Sequence, residues 1–175
     1  GFVVGLLLGY AAFRFGPDLM ALYRGGFLDK AEMRKYEGTS LDNLRAQHTA
    51  LMLYHDSEGQ FPLAAGWMDA IKPRLRTADL SPTEAEKKLK NPYLAEKDPA
   101  AFGYAMNELA SGKFKDDVPG GDSTVLVFES SLTGYNASGN PANLAPKPER
   151  PGGNLAITVG GGLLRSGKQV DSVKR

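Results

Sequence analysis

His48 and His55 are the only histidines in the chain, and they stand seven residues apart. On one helix that spacing shares a face but separates the rings by about 10.5 Å along the axis. Ligands of one metal converge to about 2 Å from it, so the pair makes no single site and reads as packed or surface residues. Asp56-Ser57-Glu58-Gly59 is similar to a calcium-loop fragment, since alternate carboxylates can converge on a hard cation. The further oxygen ligands are missing, and an acidic helix-to-turn junction is the plainer reading. Gly160-Gly161-Gly162 belongs to no GxxxxGK[ST] or GxGxxG pattern, so it reads as a tight turn between strands. Ser130 and Ser131 follow a strand-like run but sit in no GxSxG elbow, and nothing marks either histidine as their base. Glu129, at a strand end, is the one carboxylate to watch, with a solvated strand terminus as its plainer reading. There is no cysteine, which excludes thiol catalysis, disulfides and thiolate zinc. The sequence therefore predicts no catalytic residue, no cofactor and no metal ligand set.

The elements that must position these residues belong to a chain of 175 residues, about one domain. Lys plus Arg number 21 and Asp plus Glu 20, for a net charge of +1. No clustered basic excess exists for phosphate neutralisation, so nucleic acid is not an expected partner. Gly 21 and Pro 11 predict long, turn-rich loops.

The amino end differs from the rest. Gly1–Phe13 (GFVVGLLLGYAAF) carries no charge and has no polar face at helical spacing. As a helix it spans about 20 Å against a hydrocarbon core of about 30 Å, so a full crossing must accept Arg14, Pro17 and Asp18. A signal-peptide core and a buried soluble helix are the competing readings, and Phe13-Arg14-Phe15 is a poor cleavage site. The run is expected to act as a membrane or helix-bundle anchor through Phe2, Val3, Val4, Leu6, Leu7, Leu8 and Phe13. Residues 1–38 read as anchor and stem, and 39–175 as a globular head.

Within the head, Thr39 or Ser40 is a good N-cap, and Leu41, Leu44, Leu51 and Tyr54 recur near a 3.6 spacing until Gly59. That predicts an amphipathic helix of about 18 residues. Shorter helices are expected over Ala65–Leu75 and from Ser81 to Asn91-Pro92. Tyr93-Leu94 and Phe102–Met106 read as extended pieces, Ser123–Glu129 and Asn154–Val159 as strands, and Tyr135–Gly153 as loop. Helix first and strands afterwards predict an α+β fold, a small antiparallel sheet laid on the long helix, with Val125, Val127, Leu155 and Ile157 facing it.

One set of residues is more specific. Asn43-Leu44, Ala50-Leu51, Tyr54-His55-Asp56 and Gly59-x-Phe61-Pro62 read NL…AL..YHD..G.FP. This resembles the bacterial prepilin-like proteins related to type IV pilins and type II secretion pseudopilins, where the pattern lies at the soluble end of the long N-terminal helix. Asn91-Pro92-Tyr93-Leu94, Phe102–Asn107, Thr124–Glu129 and Gly152–Ile157 are similar to later segments of that family, in the same order. The sequence departs where the family writes a closing Asp (near Val159), a second His (Gly161) and an upstream His (Arg150-Pro151). Gly1-Phe2 suits the family's peptidase junction, but Leu6 stands where its filament-assembly glutamate belongs.

The resemblance implies a membrane-anchored, non-enzymatic, extracytoplasmic subunit held in the inner membrane, facing the periplasm or cell surface. Its partners would be membrane lipid or like subunits through the N-terminal helix, and secretion or pilus machinery. The alternative is an anchored binding domain on the same scaffold, taking a small ligand or glycan through Trp67, Tyr93, Tyr104 and Tyr135.

Overall fold

Helix α1, Ser40–Glu58, is the spine of the head. Thr39 caps it in a reciprocal box with Asp42, satisfying free N–H groups of the first turn. Gly59 ends it in the left-handed region at φ 78°, its N–H returning to the His55 carbonyl at 2.7 Å. Leu44 and Leu51 are fully buried; side chains of this size contribute about 1.5–3 kcal/mol each when withdrawn from water. The buried stripe also contains Asn43 and Gln47, whereas Leu41 and Tyr54, expected on it, are half-buried.

The computed structural model describes residues 33–170. The Gly1–Phe13 run, with Phe2, Val3, Val4, Leu6, Leu7, Leu8 and Phe13, and the stretch Asp18–Tyr23 lie outside the described residues. From Arg34 onward the chain forms one unit. The Arg34 guanidinium and backbone N–H both bond Asp79, and Tyr36 N–H donates to Glu84, so these residues pack on the head.

After α1 come α2 (Trp67–Ile71), α3 (Pro82–Glu86) and α4 (Pro92–Ala95). The fourth replaces an expected extended piece: Asn91 Oδ1 accepts the Tyr93 N–H, and Pro92 fills the first helical position at no cost in donors. A six-stranded sheet follows, built from β1 (Tyr104–Asn107), β2 (Val125–Glu129), β3 (Ser138–Gly139), β4 (Leu155–Thr158), β5 (Leu163–Arg165) and β6 (Lys168–Gln169). Its order is β3-β1-β2-β4-β5-β6. All pairs are antiparallel except β1 with β3, which is parallel, so the sheet is mixed and not purely antiparallel. Strand β3 and α5 (Pro141–Leu144) both lie in the segment read as loop; Asn140 caps α5 through the Ala142 N–H.

Helix α1 lies on β2 and β4. Val127, Leu155 and Ile157 are buried with Leu44 and Leu51 in one core that also holds Trp67, Phe61 and Met106. Val125 is only half-buried, because the β2–β4 register shifts between Val125 and Val127 and turns it away. The chain is thus α+β, with a mixed sheet against a helix.

Candidate functional site

Glu129 is where the fold gathers most polar chemistry. It is 4% exposed, so it is no solvated strand terminus. Ser40 Oγ and Asn91 Nδ2 donate to Oε1, the latter at 2.8 Å, and the Leu155 N–H donates to Oε2 at 2.9 Å. Tyr104 Oη lies 2.8 Å from Ser40 Oγ. Since the serine proton is committed to Glu129, the tyrosine donates. Burial pushes the Tyr104 phenol well above the usual range, so it stays a neutral donor. Arg150 Nε stands 3.9 Å from Oε2, and Arg150 Nη2 donates to the Ser130 carbonyl. One carboxylate therefore joins the first turn of α1, the cap of α4, the ends of β2 and β4, and the loop carrying Arg150.

The sequence signal for this junction was thin. Strand ends are ordinarily wet, and only the join of elements far apart in the chain closes water out.

Beside the junction runs a mostly apolar groove of about 530 Å³, lined among others by Tyr36, Asn43, Lys90, Pro92, Ala95 and Pro99. Asn43 forms part of its wall. It accepts from Tyr36 Oη at 2.7 Å and donates to the carbonyls of Lys87 and Lys90. Gln47 does the same one turn on, donating to the Lys88 carbonyl. These two amides satisfy the end of the segment Lys87–Leu89, which is why a polar pair lies on the buried stripe of α1. Lys88 itself is buried, its ammonium bonded to the Leu75 carbonyl, and desolvation holds it below the usual lysine range.

The family-like residues fall into two places. Asn43 and Leu44 are buried in the first turns of α1. The others, Tyr54, His55, Asp56, Gly59, Phe61 and Pro62, lie at its far end, where His55, Phe61 and Pro62 tie the helix and the turn after it to residues 112–115. The Tyr54 ring lies under the Arg74 guanidinium at 4.9 Å. His55 packs on Phe61 at 5.1 Å between ring centres and its Nε2 accepts the Lys115 N–H at 3.1 Å. Phe61 is fully buried and donates to the Lys113 carbonyl, while Pro62 accepts the Gly112 N–H. Asp56 Oδ1 lies 3.5 Å from His55 Nδ1, and Glu58 lies 3.6 Å from Arg74. These two carboxylates thus face side chains of the protein, and no three His, Asp or Glu groups suited to a metal converge among the described residues.

The three departures from the family pattern also resolve into contacts. Arg150 supplies a buried cation to Glu129. His48 Nε2 donates to the Val159 carbonyl at 3.0 Å, and its ring lies against Gly161, where an added Cβ would sit 3.1 Å from it. The polar groups at this corner come from α1 and from Arg150 rather than from the closing strand. Gly160–Gly162 forms the β4–β5 turn, closed by Thr158 N–H on the Gly162 carbonyl.

No family model, curated protein or solved structure matches the chain. Function rests on these contacts and on the sequence.

The ligand-binding alternative loses two of its four aromatics. Trp67 and Tyr104 are fully buried, Trp67 donating to the Ala137 carbonyl. Tyr93 and Tyr135 are the exposed pair; Tyr135 is committed to Asp69, and burial with that carboxylate pushes its phenol up to about 12. The four do not form one platform. Ser130 is buried with Oγ accepting the Leu132 N–H, and no hydrogen bond joins Ser130 or Ser131 to a histidine.

Proposed function

We propose that this chain is a non-enzymatic, pilin-like subunit anchored by its apolar amino-terminal run in the inner membrane, with the head on the extracytoplasmic side. The observation that carries the reading is the use of α1. A 19-residue helix lies on a small sheet as the spine of the head, and the family-like residues lock both its ends. Upstream of it in the sequence stands a run with no charge from Gly1 to Phe13, and residues 34–38, just before α1, pack on the head. Left in water, the large apolar side chains of that run would forgo about 10 kcal/mol of transfer energy, at about 1.5–3 kcal/mol each. Lipid or the equivalent helices of like subunits would cover them. Among the described residues no helix is long and apolar enough to cross a membrane, so anchoring belongs entirely to the residues before them. The Glu129 junction, on this reading, holds the head rigid where α1 meets the sheet.

The test is flotation of the full chain with phospholipid vesicles after a carbonate wash, beside a Leu6→Lys/Leu7→Lys variant. The full chain is expected to float with the vesicles and the variant to be released. Full release of the unaltered chain, or equal retention of both, would refute the anchor.

A further inference from the structure

We propose that His55 is an acid-sensitive latch on the segment Lys113–Asp117. Its geometry fixes the tautomer. Nε2 receives the Lys115 backbone N–H at 3.1 Å and must offer a lone pair, so the proton sits on Nδ1. Nδ1 is buried without a hydrogen-bond partner. Protonating the ring places a second N–H at Nε2, facing the Lys115 N–H, and the bond becomes a repulsion. The charged ring and the closed segment exclude each other.

His48 answers acid in the opposite way. Its Nε2 already donates to the Val159 carbonyl, and a second proton on Nδ1 leaves that bond intact. The two histidines share a helix but are built for different protonation states.

The charged groups around His55 do not reverse this. On α1, Asp56 approaches Nδ1 at 3.5 Å, but its side chain is 71% exposed and its attraction for an imidazolium is screened. Glu58 is directed to Arg74. On the facing segment the charges are Lys113, Lys115, Asp116 and Asp117, with the Lys115 ammonium turned to Asp122 at 3.1 Å. Phe61, packed on the ring, brings no charge.

What the latch holds is a surface. The segment is pinned to the turn after α1 by Phe61 N–H on Lys113 O and Gly112 N–H on Pro62 O. It carries Phe114, and the neighbouring loops carry Leu63 and Leu109, all three exposed. Release of Lys115 in acid would loosen the loop that presents Phe114. This inference is independent of membrane anchoring.

Amide hydrogen exchange on the full chain in detergent micelles tests it, with rates corrected for intrinsic exchange. On acidification from about pH 7.5 to about pH 5, Lys115 protection is expected to fall about 10-fold or more. His55→Gln keeps a carbonyl acceptor without a titrating group, so its Lys115 protection should not respond; His48→Gln should respond as the unaltered chain does. A pH-independent Lys115 amide in the unaltered chain would overturn the latch, as would loss of the response in His48→Gln. Should His55→Gln fail to fold, long-range nitrogen–proton NMR of the unaltered chain decides: Nδ1–H on His55 and Nε2–H on His48 are expected, and Nε2–H on His55 would refute it.

Discussion

Removal of the Glu129 carboxylate is the perturbation with the largest expected effect on the head. In Glu129→Ala two buried donors, from Asn91 and Leu155, and the half-buried Ser40 hydroxyl lose their acceptor together, and Arg150 loses the carboxylate beside it. An unsatisfied buried donor costs about 1–3 kcal/mol. Here a cleft of about 270 Å³, with Glu129 in its lining, lets water reach the vacated space, so each donor belongs at the lower end. The total is about 3–5 kcal/mol, the range for breaking a buried ion pair from one side. Arg150→Met should cost less, about 1–2 kcal/mol, because three donors still solvate the carboxylate and only the Ser130 carbonyl is left unpaired. Glu129→Gln falls between, since one amide oxygen still accepts while the amide nitrogen meets another donor. Trp67 is the single tryptophan and is fully buried, so urea unfolding of a chain starting at Met33 can be followed by its fluorescence. A loss below about 1 kcal/mol for Glu129→Ala, or a larger loss for Arg150→Met, would refute the reasoning.

Leu51→Ala, in the same assay, should cost about 2–5 kcal/mol, since Leu51 is fully buried between α1 and the sheet; an effect typical of a surface site would remove α1 from the core. Thr39→Ala breaks the capping box and should cost about 1 kcal/mol. The Thr39 hydroxyl and backbone N–H hold the Asp42 carboxyl below the usual range, so this stabilisation is present above the unfolded-state value and is lost as acid protonates Asp42. Stability of the unaltered chain should thus decline below about pH 4, and the Thr39→Ala variant should show less of that decline. Elemental analysis of purified protein should show no stoichiometric zinc; one zinc per chain, lost on substitution of either His48 or His55, would contradict the reading of the histidines as packing residues.

How far the fold was legible depends on whether the information was local. Thr39, Asp42 and Gly59 carry their own capping chemistry, so α1 was predicted to within one residue at each end. Strands β2 and β4 were visible as β-branched runs bounded by glycine. The register shift at Val125 was not, because a bulge depends on what the partner strand does. Nor was β3, two residues whose pairing with β1 is set by the loop before them. The short helices α4 and α5 each open with Asn-Pro, which starts a helix in both; by pattern Asn91-Pro92 reads as the end of the preceding helix, and Asn140-Pro141 falls in a run that reads as loop. At the site, Asn43 was singled out by motif, but its task of satisfying carbonyls over forty residues away is invisible in sequence. Gln47 and Arg150 carried no signal as buried groups, since long polar side chains ordinarily face water. Glu129 reads from sequence as a carboxylate at a strand end, and burial by four distant elements changes its meaning.

Protease accessibility in spheroplasts is the most direct measurement of the proposal that the chain is an anchored, outward-facing subunit. The full chain, expressed behind a basic prepilin-type leader, is followed by one antibody to the head and one to a cytoplasmic control protein. Added protease is expected to degrade the head while the control stays intact, and carbonate-washed membranes from untreated spheroplasts should retain the full chain. A head protected until the inner membrane is lysed, or a full chain recovered in the soluble fraction, would contradict it.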